Sequence, residues 1–93
     1  SNILTSLDVS QNTALTELAC SYNKLSSLDV NIALIELDCD WNNLSSLDVS
    51  KNTALTELAC SYNKLSTLDV TNNKNLDTLY YDDTVTVIGW EEK

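Results

Sequence analysis

The chain has no histidine and no arginine, and a single glycine at Gly89. Without histidine, a serine or cysteine triad loses its usual base, and zinc loses its commonest nitrogen ligand. With one isolated glycine there is no phosphate-cradling loop. Five lysines stand against fourteen acidic residues, for a net charge of -9. A nucleic-acid backbone needs basic side chains and an anionic membrane surface repels acidic ones, so both are excluded as partners. No run of eighteen apolar residues offers a membrane-inserting span, and no basic stretch followed by an apolar one marks a secretory signal. The sequence begins without methionine and in the middle of a repeat, and it reads as a trimmed, processed or recombinant piece. A basic protein, a divalent cation or an uncharged glycan are the ligand classes this charge leaves open.

What is present is one phrase written four times. Leu15 to Leu25 returns word for word at Leu55 to Leu65, a close copy runs from Leu34 to Leu44, and a degraded one starts at Leu76. The first leucines are spaced by 19, 21 and 21 residues, and half a unit precedes them from Leu4 to Ala14. Such self-similarity identifies a solenoid. Ninety-three residues make one small domain with a thin core, a limit that stacking relaxes because each coil buries its neighbours' faces. The second unit loses two residues between Val30 and Leu34, a deletion that a tighter return loop absorbs. Inside a strand it would flip every later side chain.

Leu18 with Cys20, Leu37 with Cys39 and Leu58 with Cys60 have the two-residue period of a strand buried on one face. Short parallel strands are expected near 17–20, 36–39, 57–60 and 78–81. The other arm, with Leu7/Val9, Leu28/Val30, Leu47/Val49 and Leu68/Val70, is also expected to be extended and partly strand. The unit has no room for a helix long enough to nucleate. Identical residues then stack in columns about 4.8 Å apart.

The leucine columns are core. Cys20, Cys39 and Cys60 form another, replaced by Tyr81 in the last coil. Thiols stacked along one axis do not surround a metal tetrahedrally, so they read as small buried hydrophobes, without disulfides. Asn23, Asn42 and Asn63 fall where the chain turns, and an amide there can pair inward-facing backbone groups of two coils. Asn12, Asn52 and Asn73 form a partial second column, which on this reading skips the shortened unit. Asp8, Asp29, Asp48 and Asp69 precede Ser10, Ser50 or Thr71 in Asx-like turns.

Two surface features are candidate binding positions. Tyr22, Trp41 and Tyr62 should lie along one edge near stacking distance, either covering the turn or forming an aromatic strip for sugars or protein. The outward strand positions carry Glu17, Glu36 and Glu57 in a column of like charge, with Asp38, Asp40 and Tyr80 beside it. Nothing here resembles a calcium loop with its six to eight oxygens. Nor does a thin face provide the low-dielectric cleft in which a glycosidase keeps one carboxyl protonated. No enzyme, metal or cofactor is expected.

The spacing Leu-x-x-Leu-x-Cys-x-x-Asn-x-Leu at 15–25, 34–44 and 55–65 resembles the leucine-rich repeat, in a short 21-residue bacterial form found in surface and secreted proteins. The resemblance covers residues 4 to about 80. It implies a right-handed, curved, β-solenoid-like coil of short parallel strands with almost no helix and an asparagine ladder. It also implies protein binding or adhesion at a cell surface or outside the cell. The array is expected over 1–83, departing from the pattern where Thr84 stands in place of asparagine. Residues 84–93 form a closing strand and tail, with Val85, Val87 and Trp90 covering the last coil. No cap is visible at the other end, so Ile3, Leu4 and Leu7 suggest self-association or a longer array. The functional expectation is a non-catalytic module binding protein or glycan, against the alternative of a purely structural spacer.

Overall fold

The structure, a computed structural model, describes residues 4–90. It is a parallel β-solenoid of about four turns, and no helix occurs among the described residues. Eight three-residue strands follow one another: β1 (Ser6–Asp8), β2 (Glu17–Ala19), β3 (Ser27–Asp29), β4 (Glu36–Asp38), β5 (Glu57–Ala59), β6 (Thr67–Asp69), β7 (Thr78–Tyr80) and β8 (Thr86–Ile88). On one side β2, β4, β5 and β7 form a continuous four-stranded sheet in repeat register, with Leu18, Leu37, Leu58 and Leu79 aligned. These strands fall where the period-two pattern places them.

The other arm is discontinuous. β1 pairs with β3 and β6 with β8, while Ser46–Asp48, the corresponding segment of the coil between them, forms no strand. The four-stranded side is therefore continuous and the other interrupted, and the continuous sheet is the face that the repeat's resemblance places on the concave side. A trough of about 440 Å³ opens beside the unpaired segment, lined by Ser46, Asp48, Thr67 and Asp69 among others.

The core lies between the two arms and is filled by the central coils. Leu25, Leu34, Leu44, Leu55 and Leu58 are fully buried, together with Cys39 and Cys60. Leu7, Leu15 and Leu18 at the first coil are only half-buried and Leu4 is exposed, since one neighbour is missing there; Ile3 lies outside the described residues. At the other end Val85 is buried, and Val87 and Trp90 pack on the core. β8 continues the register of the second arm, with Leu68 beside Val87, and so adds a half-coil. Gly89 then turns at φ 81° against Thr71, where a Cβ would come within 2.7 Å of the Thr71 Cα.

A narrow coil turns its backbone polar groups inward, and the asparagines pair them. Asn42 Nδ2 donates to the Cys39 carbonyl at 3.0 Å and to Cys20 of the preceding coil at 3.1 Å. Its Oδ1 accepts from the Leu25 N–H at 3.0 Å. Asn63 repeats this with the carbonyls of Cys60 and Cys39 and with the Leu44 N–H. The last coil has no such asparagine. There the Asp82 carboxylate accepts from the N–H groups of Tyr62 and Asn63, the first of which donates to a backbone carbonyl in the earlier coils.

The second asparagine column is complete, which corrects the expectation that the shortened unit lacks it. Counted back from the following leucine, Asn31 stands where Asn12, Asn52 and Asn73 stand. Asn31 is 2% exposed. Its amide donates to the Asn12 carbonyl, and the Asn52 amide donates in turn to the Asn31 carbonyl. The deletion therefore removes the serine-containing pair before the asparagine. Asp8 and Asp69 accept from both the hydroxyl and the N–H two residues on, at Ser10 and Thr71, and Asp48 accepts from the Ser50 N–H. Asp29 has Asn31 at that offset and no hydroxyl to bind.

Replacing Asn42 by alanine strands the Leu25 N–H and withdraws the donor from several inward carbonyls, at about 1–3 kcal/mol for each group left unpaired. Asn42→Asp keeps the acceptor for Leu25 but sets a charged oxygen against carbonyls. Urea denaturation should find both variants destabilised by a similar amount. An aspartate variant as stable as the parent would show that only the accepting half of the ladder matters.

Candidate functional site

Immediately after each concave strand the backbone ladder continues for several residues, from Cys20 N–H to the Asp38 carbonyl and from Tyr22 N–H to the Asp40 carbonyl. It then turns sharply toward the asparagine. The turn is made at Tyr22, Trp41 and Tyr62, whose φ angles are 59°, 58° and 58°. This is the left-handed region, which costs an L-residue with a Cβ roughly 1–2 kcal/mol and is otherwise left to glycine or asparagine. Three aromatic residues occupy it in register.

The rings form one stack. Trp41 lies 4.0 Å from Tyr62 between centroids at an interplanar angle of 9°, and 5.8 Å from Tyr22 at 11°. They are not folded under the turn: exposure is 55% for Tyr22, 46% for Trp41 and 58% for Tyr62. Because each ring faces its neighbour, the surface they offer solvent consists mainly of ring edges, the two tyrosine hydroxyls and the indole N–H. Free faces remain only at the two ends of the stack.

Beside this ridge lies the concave sheet. Glu17, Glu36 and Glu57 occupy adjacent register positions, flanked by Asp38 between Ala19 and Ala59. They line a shallow depression of about 210 Å³ together with Leu18 and Leu37. No basic side chain occupies an outward strand position, so the glutamates face one another. The Glu36 carboxyl is raised above its ordinary value, first by a hydrogen bond with Glu17 and then by the Glu17 charge, with burial and Glu57 adding to it.

Asp40 has a different place. Its carboxylate turns into the ladder and accepts from the Ser61 N–H at 2.6 Å. Burial raises its pKa, with the charges of Asp38 and Asp82 adding and the Ser61 hydrogen bond opposing. Tyr80 stands on the sheet next to Ala59 and is 58% exposed, in a column separate from the aromatic stack. The structure thus brings Tyr22, Trp41 and Tyr62 together as a ridge and Glu17, Glu36, Glu57 and Asp38 as a strip. Asp40 bridges backbone beneath them.

The thiols are free and buried. Burial pushes the Cys20 thiol up to about 11 and the Cys60 thiol to about 12, away from the thiolate form that reacts or binds metal. No grouping of three metal-ligating side chains occurs among the described residues. Sequence reasoning did not single out Ile32 and Ile35, which are exposed on the shortened return turn; their mismatch with the polar residues at that place in the other units was the available signal.

No protein-family model and no curated protein matches the chain. A solved structure does: the functional domain of InlJ from Listeria monocytogenes, described as including a cysteine ladder, superposes with a TM-score of 0.85 and 40% identity over 90% of this chain. The present chain spans 19% of that chain's length. The similarity and the geometry together make the repeat a leucine-rich one, and the cysteine column at positions 20, 39 and 60 is its buried stack of thiols.

Two stability measurements separate the surface columns from the core. Trp41→Asn relieves a strained backbone angle worth about 1–2 kcal/mol while losing two ring contacts worth about 0.5–1.5 kcal/mol each, so its net effect should lie between about 1 kcal/mol stabilising and about 2 kcal/mol destabilising. Leu44→Ala in the same coil should lose about 2–5 kcal/mol. For Glu36 the raised pKa means that ionisation is disfavoured in the folded state. Its penalty is absent at acid pH, where both states are protonated, and grows as pH rises through the ordinary glutamate value. Glu36→Gln should therefore be more stable than the parent at neutral pH and low salt, with the gap closing on acidification. A gap independent of pH would show that the like-charge column carries no strain.

Proposed function

We propose that this chain is a non-catalytic recognition module of the short bacterial leucine-rich type, acting at a cell surface or outside the cell. It engages a protein or glycan through the aromatic ridge and the concave sheet. The observation that carries this reading is the ridge itself. Three large rings stand about half exposed at turn positions whose backbone favours glycine or asparagine. Folding alone gives no reason to place them there, because the asparagines of the ladder already pair the turn. Strained positions of this kind occur where the strained residue is used. The similarity to a domain called functional in InlJ supports a repeat domain that presents a surface.

A spacer without a ligand is the second reading, favoured by the identity of units 15–25 and 55–65. The middle unit weighs against it. There the leucine, cysteine and asparagine positions are kept, while the presented Ala and Tyr become Asp38 and Trp41 and the exposed Thr and Lys become Ile35 and Asn43. Variation confined mostly to presented positions is what a tuned surface produces and what a length-setting element does not need.

The test is surface-immobilised binding of the chain to a panel of purified extracellular-matrix proteins and polysaccharides, alongside the Tyr22→Asn/Trp41→Asn/Tyr62→Asn variant. At least one panel member should bind the parent about tenfold or more tightly than the variant, a ratio typical of losing central aromatic contacts. Equal behaviour of the two proteins across the panel would favour the spacer.

A further inference from the structure

The recognition reading leaves the partner open between protein and glycan, and the geometry of the ridge separates them. A sugar stacks on a free aromatic face. Here the inner faces are occupied by one another, with Trp41 and Tyr62 at 4.0 Å and nearly parallel, so no saccharide ring fits between them. What the ridge offers along its length is a row of apolar edges, a surface suited to aliphatic side-chain stems. Alongside it run Glu17, Glu36, Glu57 and Asp38 with no basic residue among the outward strand positions, in a chain of net charge -9. A neutral apolar partner would desolvate these carboxylates without pairing them, which is unfavourable. An anionic partner would add to the repulsion already felt by Glu36.

Resting on that recognition reading, we infer that the ridge and the adjoining sheet together receive a cationic polypeptide segment, apolar side chains on one side of it lying across the edges of Tyr22, Trp41 and Tyr62 and lysine or arginine side chains on the other reaching Glu17, Glu36, Glu57 and Asp38. Each glutamate stands five residues of extended chain, about 16 Å, from the aromatic residue of its coil, so a segment lying between the two columns sends alternate side chains to each. The dimensions agree. Three glutamates about 4.8 Å apart span about 10 Å, and same-face residues of an extended segment lie about 7 Å apart. Two basic side chains on one face thus fall within the column. Binding relieves the glutamate repulsion, which adds to affinity and makes it salt-dependent.

Isothermal titration calorimetry with three probes tests this: an alternating arginine–valine octapeptide, its glutamine–valine counterpart and chitohexaose. The arginine peptide should bind, more weakly at high salt, and the other two should give no measurable heat. The Tyr22→Asn/Trp41→Asn/Tyr62→Asn variant keeps the same net charge, yet should bind the arginine peptide at least about tenfold more weakly. Glu36→Gln/Asp38→Asn, with the ridge intact, should weaken it comparably. Circular dichroism and urea midpoints confirm that both variants fold. Undiminished binding by the aromatic variant would reduce the interaction to net charge and overturn the inference. Ring-dependent binding of chitohexaose or of the neutral peptide would overturn the cationic partner while leaving the recognition module standing. No binding of any probe overturns the cationic segment alone, because the panel measurement judges the wider reading independently.

Discussion

Everything in this fold depends on pairing the backbone groups of a turn that has almost no interior. A coil of about twenty residues cannot bury enough apolar surface to tolerate unpaired amides, and each one costs as much as a well-packed methyl or more. The asparagine is short, carries both donor and acceptor, and reaches its own coil and the previous one simultaneously. Asn42 and Asn63 therefore bind the stack together along its axis, and the leucines fill the space those bonds define. On the return side Asn31, Asn52 and Asn73 each donate to a carbonyl one coil back, with the Asn73 Oδ1 buried and unpaired. The two ladders run up opposite ends of the concave strands. With both in place, the outward residues are free of structural duty and can differ between coils.

The deletion in the second unit shows how this hierarchy operates. Two residues vanish between Val30 and Leu34, yet the asparagine and the leucine that follow keep their mutual spacing and their burial. What is lost is the Asp-x-Ser turn, an exposed local bond whose loss the next coil scarcely feels. The outer arm is interrupted in that next coil, where Ser46–Asp48 pairs with neither neighbouring strand. The inner sheet stays continuous because its register is fixed on both faces, by the buried leucines and by the ladders at its ends.

The concave strands, the leucine and cysteine columns and the first asparagine ladder were legible in the sequence because they repeat with a fixed offset and one physical cause. Less legible were features that arise where the pattern is broken or where an angle matters more than an identity. Reading the short unit from its beginning hid Asn31, while counting back from Leu34 reveals it. Asp82 lies in a degraded copy, and nothing in the sequence says that its carboxylate caps Tyr62 and Asn63. Sequence placed Tyr22, Trp41 and Tyr62 on one edge but could not show a positive φ, nor that the rings would use up one another's faces. The gap at Ser46–Asp48 is equally invisible, since those residues match their counterparts in the other coils.

The left-handed angle links these strands of reasoning. At this turn the fold asks for a conformation and is indifferent to the side chain, provided the energetic penalty is met. Asparagine or glycine would meet it without strain. The chain instead sets aromatic residues there in three successive coils, where each ring's strain of about 1–2 kcal/mol is offset by stacking of about 0.5–1.5 kcal/mol per neighbouring pair. Three strained angles outweigh two stacked pairs, so the stack costs stability on balance and stands as an addition to a self-sufficient scaffold. Rigidity has a consequence for binding. Rings already held by their neighbours lose little further freedom when a partner arrives, and the ordering cost that usually weakens association is reduced. A solenoid that repeats its core and varies its presented column thus separates stability from recognition, one residue position apart.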